Sequence, residues 1–192
     1  MKEKNQIISI LKSTEALLDG HFILTSGRHS STYFQCAKVL QHPEYLTAFS
    51  IMISDRFVNT KPDIIISPAI GGIVLSTEVG VQLGCKSIFS ERQNGKMILR
   101  RGFEIIKSQK VLIVEDVITT GGSVKEVMDL VLASDALIVG VGVLVDRSNG
   151  KVKLHKNQYS IVKLDAKSYG DDEIPDSLAK IPIQKPGSRY LL

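Results

Sequence analysis

Tryptophan is absent from the 192 residues, aromatic side chains make up only 6%, and cysteine occurs twice, as Cys36 and Cys85. Two distant cysteines exclude a disulfide scaffold and a CxxC metal site, so a reducing cytoplasm is the expected compartment. Long apolar runs are missing too. The longest, Ala136 to Val145, has ten residues, whereas crossing a bilayer takes about 20. The opening MKEKNQIISIL is too short in its apolar part for a signal peptide and has no small-residue cleavage site behind it, so no export and no membrane role is expected. No repeat, low-complexity tract or block of like charge interrupts the chain. The net charge of +4, from 24 Lys and Arg against 20 Asp and Glu, is too small to imply nucleic-acid binding and suits an anionic small molecule equally well.

What is present is an ordinary globular composition, 43% hydrophobic and 23% charged. At this length folding buries roughly 70% of the unfolded chain's surface, enough for one core without metal or disulfide staples. A single domain over residues 1–192 is expected, with no internal boundary.

Apolar residues from Asn5 to Leu18 follow the helical period up to Gly20, which predicts a helix. The pieces FIL and TYF flank the polar turn TSGRHSS and predict a hairpin within Gly20 to Ala37. Pro43 suits the first turn of a helix running to about Asn59, because its missing N–H is not needed there. From Asp63 a unit recurs: IIIS, then PAIGG and the helix IVLSTEVGVQLG; KSIFS, then a polar loop; VLIVEDV, then ITTGGS and the helix VKEVMDLVLAS. ALIVGVGVLV and QYSIVKL predict two further strands. Strands apolar on both faces belong to a parallel sheet covered by helices, so the fold class is α/β with a largely parallel, doubly wound sheet. Gly140 and Gly142 lie inside such a strand and are assigned to packing. The tail PDSLAKIPIQKPGSRYLL is expected to be mostly irregular.

The chemistry concentrates in VLIVEDVITTGGSV, Val111 to Val124. A buried strand ends in two acids and passes through hydroxyls and glycines into a helix. Ligands of open parallel sheets bind beyond the carboxyl ends of strands, and a helix start offers N–H groups and the positive dipole end to a phosphate. Gly121 and Gly122 let the backbone approach, Thr119, Thr120 and Ser123 add hydroxyl donors, and Glu115 and Asp116 can accept from ribose hydroxyls. Each feature alone is ordinary capping chemistry; together they spell a ribose 5-phosphate pocket. Neither a Walker A loop nor a GxGxxG after the first strand occurs in the right context, which disfavours nucleotide kinases and NAD enzymes.

The run VLIVEDVITTGGS resembles, over its whole length, the signature of the type I phosphoribosyltransferases, which bind 5-phosphoribosyl-1-diphosphate (PRPP). FILTSGRHSSTYFQ, Phe22 to Gln35, is similar to the amino-terminal signature of the orotate phosphoribosyltransferases, and LVDRSNG places Arg147 where that family keeps an arginine that contacts orotate. A guanidinium suits orotate's carboxylate. ERQNGKMILRRGFEI and the tail KPGSR resemble a bacterial subgroup with a shortened mobile loop. The resemblance implies the type I phosphoribosyltransferase fold with a small hood, from about residues 1–40 plus the carboxyl-terminal tail. PRPP would be bound by Glu115, Asp116, Val117, Ile118, Thr119, Thr120, Gly121, Gly122 and Ser123, and by the backbone of Gly71 and Gly72. Orotate would meet Thr119, Arg147, Tyr33 and Phe34. Asp116, Glu115, Arg92, Lys96, Arg100 and Arg101 would carry catalysis. Mg²⁺ would be held mainly by PRPP, with no direct protein ligand. A homodimer is implied, with the loop around Gln93 to Gly102 serving the neighbouring subunit; the four cations from Arg92 to Arg101 have few acids nearby in sequence.

The chain departs from the family pattern in lacking lysines at Thr25 and Gly71, a histidine in the loop, and the Cys-Pro-x-Cys of short-loop relatives, where it reads EIPDS. His21 and His29 are assigned as hydrogen-bonding surface residues. The expected reaction gives orotidine 5′-monophosphate and diphosphate, toward UMP, in the cytoplasm. One alternative is a purine-base phosphoribosyltransferase, against which Arg147 and TSGRHSSTYF argue. Another is a PRPP-sensing regulator, but only about 60 residues precede the first strand of the parallel sheet and none form a basic recognition helix.

Overall fold

The β-branched runs form strands and the 3.6-period stretches form helices in a computed structural model that describes residues 2–24 and 26–184. In chain order the elements begin with α1 (Lys2–Ser13), β1 (Leu17–Ile23), β2 (His29–Phe34), α2 (Ala37–Leu40) and α3 (Pro43–Phe57). The middle of the chain follows as β3 (Ile64–Pro68), α4 (Gly72–Leu83), β4 (Lys86–Gln93), β5 (Lys96–Leu99), β6 (Lys110–Ile118), α5 (Gly122–Ala133), β7 (Leu137–Asp146) and β8 (Gln158–Lys163). Last come β9 (Ser168–Tyr169), α6 (Asp176–Ala179) and β10 (Ile183–Gln184). Two compact units result, Met1–Val39 with Asp165–Leu192, and Leu40–Leu164.

The first unit holds a four-stranded sheet in the order β10-β1-β2-β9. α1 is shorter than its periodicity suggests. The hydroxyls of Ser13 and Thr14 both bond back to the Ile10 carbonyl, at 3.1 and 2.8 Å, and Glu15 turns out of the helix at φ 58°. Leu17 and Leu18 therefore belong to β1. Gly20 is no helix stop: it sits where the β1–β2 pairing slips between Asp19 and Phe22, and a Cβ there would lie 3.0 Å from the Phe22 ring. The described part of the tail, Pro175 to Gln184, holds α6 and β10, and both β10 and, from just before the tail, β9 pair with the β1–β2 hairpin. β9 and β10 flank it, and Arg28 donates to Ser168 Oγ at 3.0 Å and to the Ser168 carbonyl at 2.8 Å.

The two histidines are not on the surface. His21 and His29 are buried, with Nε2 of the first 2.6 Å from Nδ1 of the second. His29 Nε2 also lies 3.1 Å from Asp171, and His21 Nδ1 3.1 Å from the Ile181 carbonyl. Hydrogen-bonding partners drawn from the tail explain why two polar rings can be buried at all. Thr25 and the KPGSR segment lie outside the described residues.

The second unit is a six-stranded sheet in the order β5-β4-β3-β6-β7-β8. β4, β3, β6, β7 and β8 run parallel, and β5 is antiparallel at the edge. On one face Val124, Val127 and Val131 of α5 bury against Ile64, Ile66, Val111, Ile113, Val141 and Val143. Each such side chain contributes about 1.5–3 kcal/mol when removed from water. Against the other face α3 approaches β7 closely enough to require glycine. A Cβ at Gly142 would stand 2.7 Å from Ile53 Cγ2, and one at Gly140 would collide with the Phe57 ring. The packing assignment of this Gly-x-Gly holds.

β4 lies to one side of β3 and β6 to the other, so the strand order reverses between β3 and β6. Ligands of doubly wound sheets bind at such a point, beyond the carboxyl ends of the strands. The turns after β3 and β6 are the PAIGG and ITTGG segments.

Candidate active site

Glu115 and Asp116 are the sixth and seventh residues of β6 (Lys110–Ile118). The chain then passes through Thr119 and Thr120 to Gly121, which adopts the left-handed φ of 77° just before α5 begins. A Cβ on Gly121 would press on Leu154 Cδ2 at 2.8 Å, so glycine is required twice over, by conformation and by space. Glu115 and every residue from Val117 to Ser123 line one cleft of about 240 Å³. Thr119, Thr120, Gly122 and Ser123 are exposed, at the amino-terminal end of a 12-residue helix that its N-cap residue, Gly121, leaves without a side-chain cap. Such a cradle suits a phosphate.

Asp116 faces a different neighbour. It lies against Gly71, where a Cβ would fall 2.7 Å from the carboxylate carbon and 2.8 Å from Oδ1. A Cβ on Gly72 would likewise stand 3.1 Å from Glu115 Oε1. The turn after β3 and the acids of β6 thus meet. No side chain at position 71 has room beside Asp116 as it stands.

Burial and the adjoining carboxyl push Glu115 well above the usual carboxylate range; burial also raises Asp116, against the opposing effect of its hydrogen bond with Glu115. One proton shared between two close acids is the expected result of placing like charges together out of water. The arrangement can accept hydrogen bonds from hydroxyls and can stabilise positive charge.

Arg147 follows the last residue of β7, and its N–H donates to the Ile118 carbonyl at 2.9 Å. Its backbone therefore abuts the end of β6, one residue from Thr119. The loop that carries it is organised by Asp146, which is fully buried and accepts from Ser148 N, Ser148 Oγ and Gly150 N at 2.8, 2.6 and 3.0 Å. Asp146 escaped the sequence reading, although an Asp before Ser and Gly is a turn signal.

The polar loop after KSIFS is a β-hairpin. Asn94 and Gly95 both take positive φ, 50° and 80°, which a two-residue turn between antiparallel strands requires. Arg92 pairs with Met97 and Gln93 with Lys96 in its register. Few acids lie near its cations in sequence, yet two of the cations find partners, one from elsewhere in the fold and one from across the hairpin. Arg92 donates to Glu126 at 2.6 Å, and Arg101 forms a two-pronged pair with Glu91 at 2.9 and 3.0 Å while stacking over Phe89 at 5.6 Å. Arg100 and Lys96 are exposed.

Tyr33 and Phe34 lie on β2 of the first unit. Phe34 is buried and paired with Leu17, whereas Tyr33 is half-buried, its ring centroid 5.6 Å from that of Phe22. Cys36 and Cys85 are not joined in a disulfide.

These features agree with what the chain is similar to. The phosphoribosyl transferase domain model matches residues 36–175. The orotate phosphoribosyltransferase of Chlorobium phaeobacteroides strain BS1 is 58% identical over 185 residues, 96% of each chain. That of strain DSM 266 is 56% identical over 183 residues, 95% of each. The crystal structure of orotate phosphoribosyltransferase from Aeropyrum pernix superposes with a TM-score of 0.66 at 22% identity, over 82% of this chain and 93% of that one, which shows a shared fold. The chain belongs to the phosphoribosyltransferase family, on its orotate phosphoribosyltransferase branch.

Proposed function

We infer that this chain transfers the 5-phosphoribosyl group of PRPP to orotate, releasing diphosphate and forming orotidine 5′-monophosphate. The observation that carries the reading is the meeting, at the reversal of strand order, of the Glu115–Asp116 pair with the cradle from Thr119 to Ser123 and the Gly71–Gly72 turn. The cradle takes the 5′-phosphate, and the acids accept from the ribose hydroxyls. The N–H groups of the Gly71–Gly72 turn face the diphosphate, and Arg147 pairs with orotate's carboxylate. Thr119 adjoins the base.

As the bond from C1 to diphosphate breaks and a ring nitrogen of orotate takes its place, positive charge grows on the ribose. The carboxylates favour it, and the cations Arg92, Lys96, Arg100 and Arg101 favour the departing diphosphate. Orotate's standing charge is on its carboxylate, so the hydrogen on the attacking ring nitrogen must leave as a proton, to the departing diphosphate or to water, as the C–N bond forms; orientation and charge do the rest.

Magnesium, which the family implies, fits as a companion of PRPP. It would be held mainly by the diphosphate and ribose hydroxyls of PRPP, and among the described residues no group of three or more His, Cys, Asp or Glu is placed to hold a metal. Bound there, it would neutralise diphosphate charge as a hard cation that keeps several waters. A homodimer in which the hairpin's Arg100 and Arg101 serve the partner's site completes the proposal. So does a cytoplasmic location for a chain in which no described helix is long and apolar enough to cross a membrane.

The test is diphosphate release on incubation with PRPP, Mg²⁺ and, separately, orotate, uracil, hypoxanthine or adenine. Release with orotate alone is expected. Turnover only with a purine overturns the reading.

A further inference from the structure

Glu126 belongs to neither the PRPP signature nor any part of the proposed chemistry, yet it lines the same cleft as the phosphate cradle. A carboxylate placed there works against an anionic ligand unless something cancels it. The cancelling group is Arg92, whose Nη2 donates to Glu126 Oε1 at 2.6 Å. The carboxylate also accepts from the backbone N–H of Met97, and these two bonds, Arg92's foremost, hold it below the usual carboxylate range.

Arg92 and Met97 face each other across the β4–β5 hairpin, so one carboxylate grips both of its strands. Arg92 Nη1 reaches on to the Gly95 carbonyl at the turn, at 2.5 Å. Below this polar grip, Met97 is buried in the cluster that includes Val124, Val127 and Val131 of α5. The hairpin is therefore fastened to α5 by an apolar contact and by an ion pair, and α5 is the helix whose first turn forms the phosphate cradle. Glu126 lies four residues beyond Gly122, about 6 Å along the axis.

We propose that Glu126 is a positioning residue, which fastens the β4–β5 hairpin to α5 and thereby sets the Arg92 guanidinium at the edge of the phosphate cleft, where its charge bears on the phosphate groups of PRPP. The proposal rests on the PRPP reading given above. Three consequences separate it from a general contribution to folding. Loss of Glu126 acts through Arg92, so the two removals are not additive. It acts on PRPP and not on orotate. The isosteric amide, which keeps an acceptor oxygen for Arg92 and Met97, restores part of what alanine loses.

The experiment measures kcat and KM for both substrates in the wild-type protein and in Glu126→Ala, Glu126→Gln, Arg92→Ala and the Arg92→Ala/Glu126→Ala pair, with thermal unfolding of each. For Glu126→Ala, kcat/KM for PRPP should fall about tenfold, the scale of a misplaced charge at a reacting centre, while KM for orotate stays within about twofold. The double variant should be no worse than Arg92→Ala, and Glu126→Gln should lie between alanine and wild type. Unchanged kcat/KM in Glu126→Ala overturns the proposal, as does full additivity in the double variant or an equal loss for both substrates. If Glu126→Ala fails to fold, Glu126→Gln alone and in combination with Arg92→Ala supplies the same cycle. A wild-type protein that releases no diphosphate from PRPP with any base refutes the PRPP reading itself, an outcome distinct from those.

Discussion

Gly71 and Asp116 share a space that has room for only one side chain. The Asp116 carboxylate fills the position that a Cβ on residue 71 would take, with its carbon 2.7 Å away. The close approach brings a turn rich in backbone N–H groups against an acid that is buried and faces the proposed ribose site. Gly71→Ala should therefore displace Asp116 without unfolding the protein, and kcat/KM for PRPP should fall at least about tenfold. Asp116→Asn, which keeps the shape and removes the charge, should lose about 2–4 kcal/mol of transition-state stabilisation, roughly 30- to 1,000-fold in turnover. Steady-state diphosphate release measures both. Full activity in Asp116→Asn would place the ribose acid elsewhere.

Glu115 makes stability depend on pH in an unusual direction. Its folded-state pKa is raised well above the ordinary value, chiefly by burial and then by the charge of Asp116. The folded chain thus binds more protons than the unfolded chain at any pH between the ordinary glutamate value and the raised one. Stability from this group is present below that interval and falls as pH rises through it. Glu115→Gln, having no charge to bury, should raise the melting temperature relative to wild type at pH 8, with the difference shrinking toward pH 4. Parallel melting curves across that range would show that Glu115 ionises without penalty in the fold.

Arg147→Ala should raise KM for orotate far more than KM for PRPP, since only the base carries a carboxylate at that end. Losing a charge-assisted pair in a partly dry pocket costs about 2–5 kcal/mol. Isothermal titration with each substrate gives the comparison directly. An equal loss for PRPP would make Arg147 a phosphate or structural residue.

Mixing two inactive proteins under subunit exchange, Arg100→Ala/Arg101→Ala with Asp116→Ala, should restore activity. Each mixed dimer then holds one site with an intact pocket and an intact hairpin from its partner. A mixture that stays inactive would mean that each hairpin serves its own pocket, and a fully active monomer would exclude the shared arrangement altogether.

The strand–turn–helix chemistry of Val111 to Val124 is legible in the amino-acid sequence alone, because it is local: an apolar run on both faces, two acids, hydroxyls, glycines and an amphipathic helix each follow from neighbours within a few residues. The succession of strands along the chain and the helix assignments for Pro43–Phe57, Gly72–Leu83 and Gly122–Ala133 rest on the same short-range periodicity. The electrostatic partners do not. Glu126 stands 34 residues from the Arg92 that it holds, and Asp171 stands 142 residues from His29, so no window along the chain could reveal that Arg92 is neutralised by α5 or that two histidines are buried together. The break after Ser13 also turns on tertiary context. Leu17 and Leu18 continue a helical pattern, but strand pairing with Phe34 and Tyr33 claims them. Apolar residues are compatible with either element, and the partner that buries them decides which one forms.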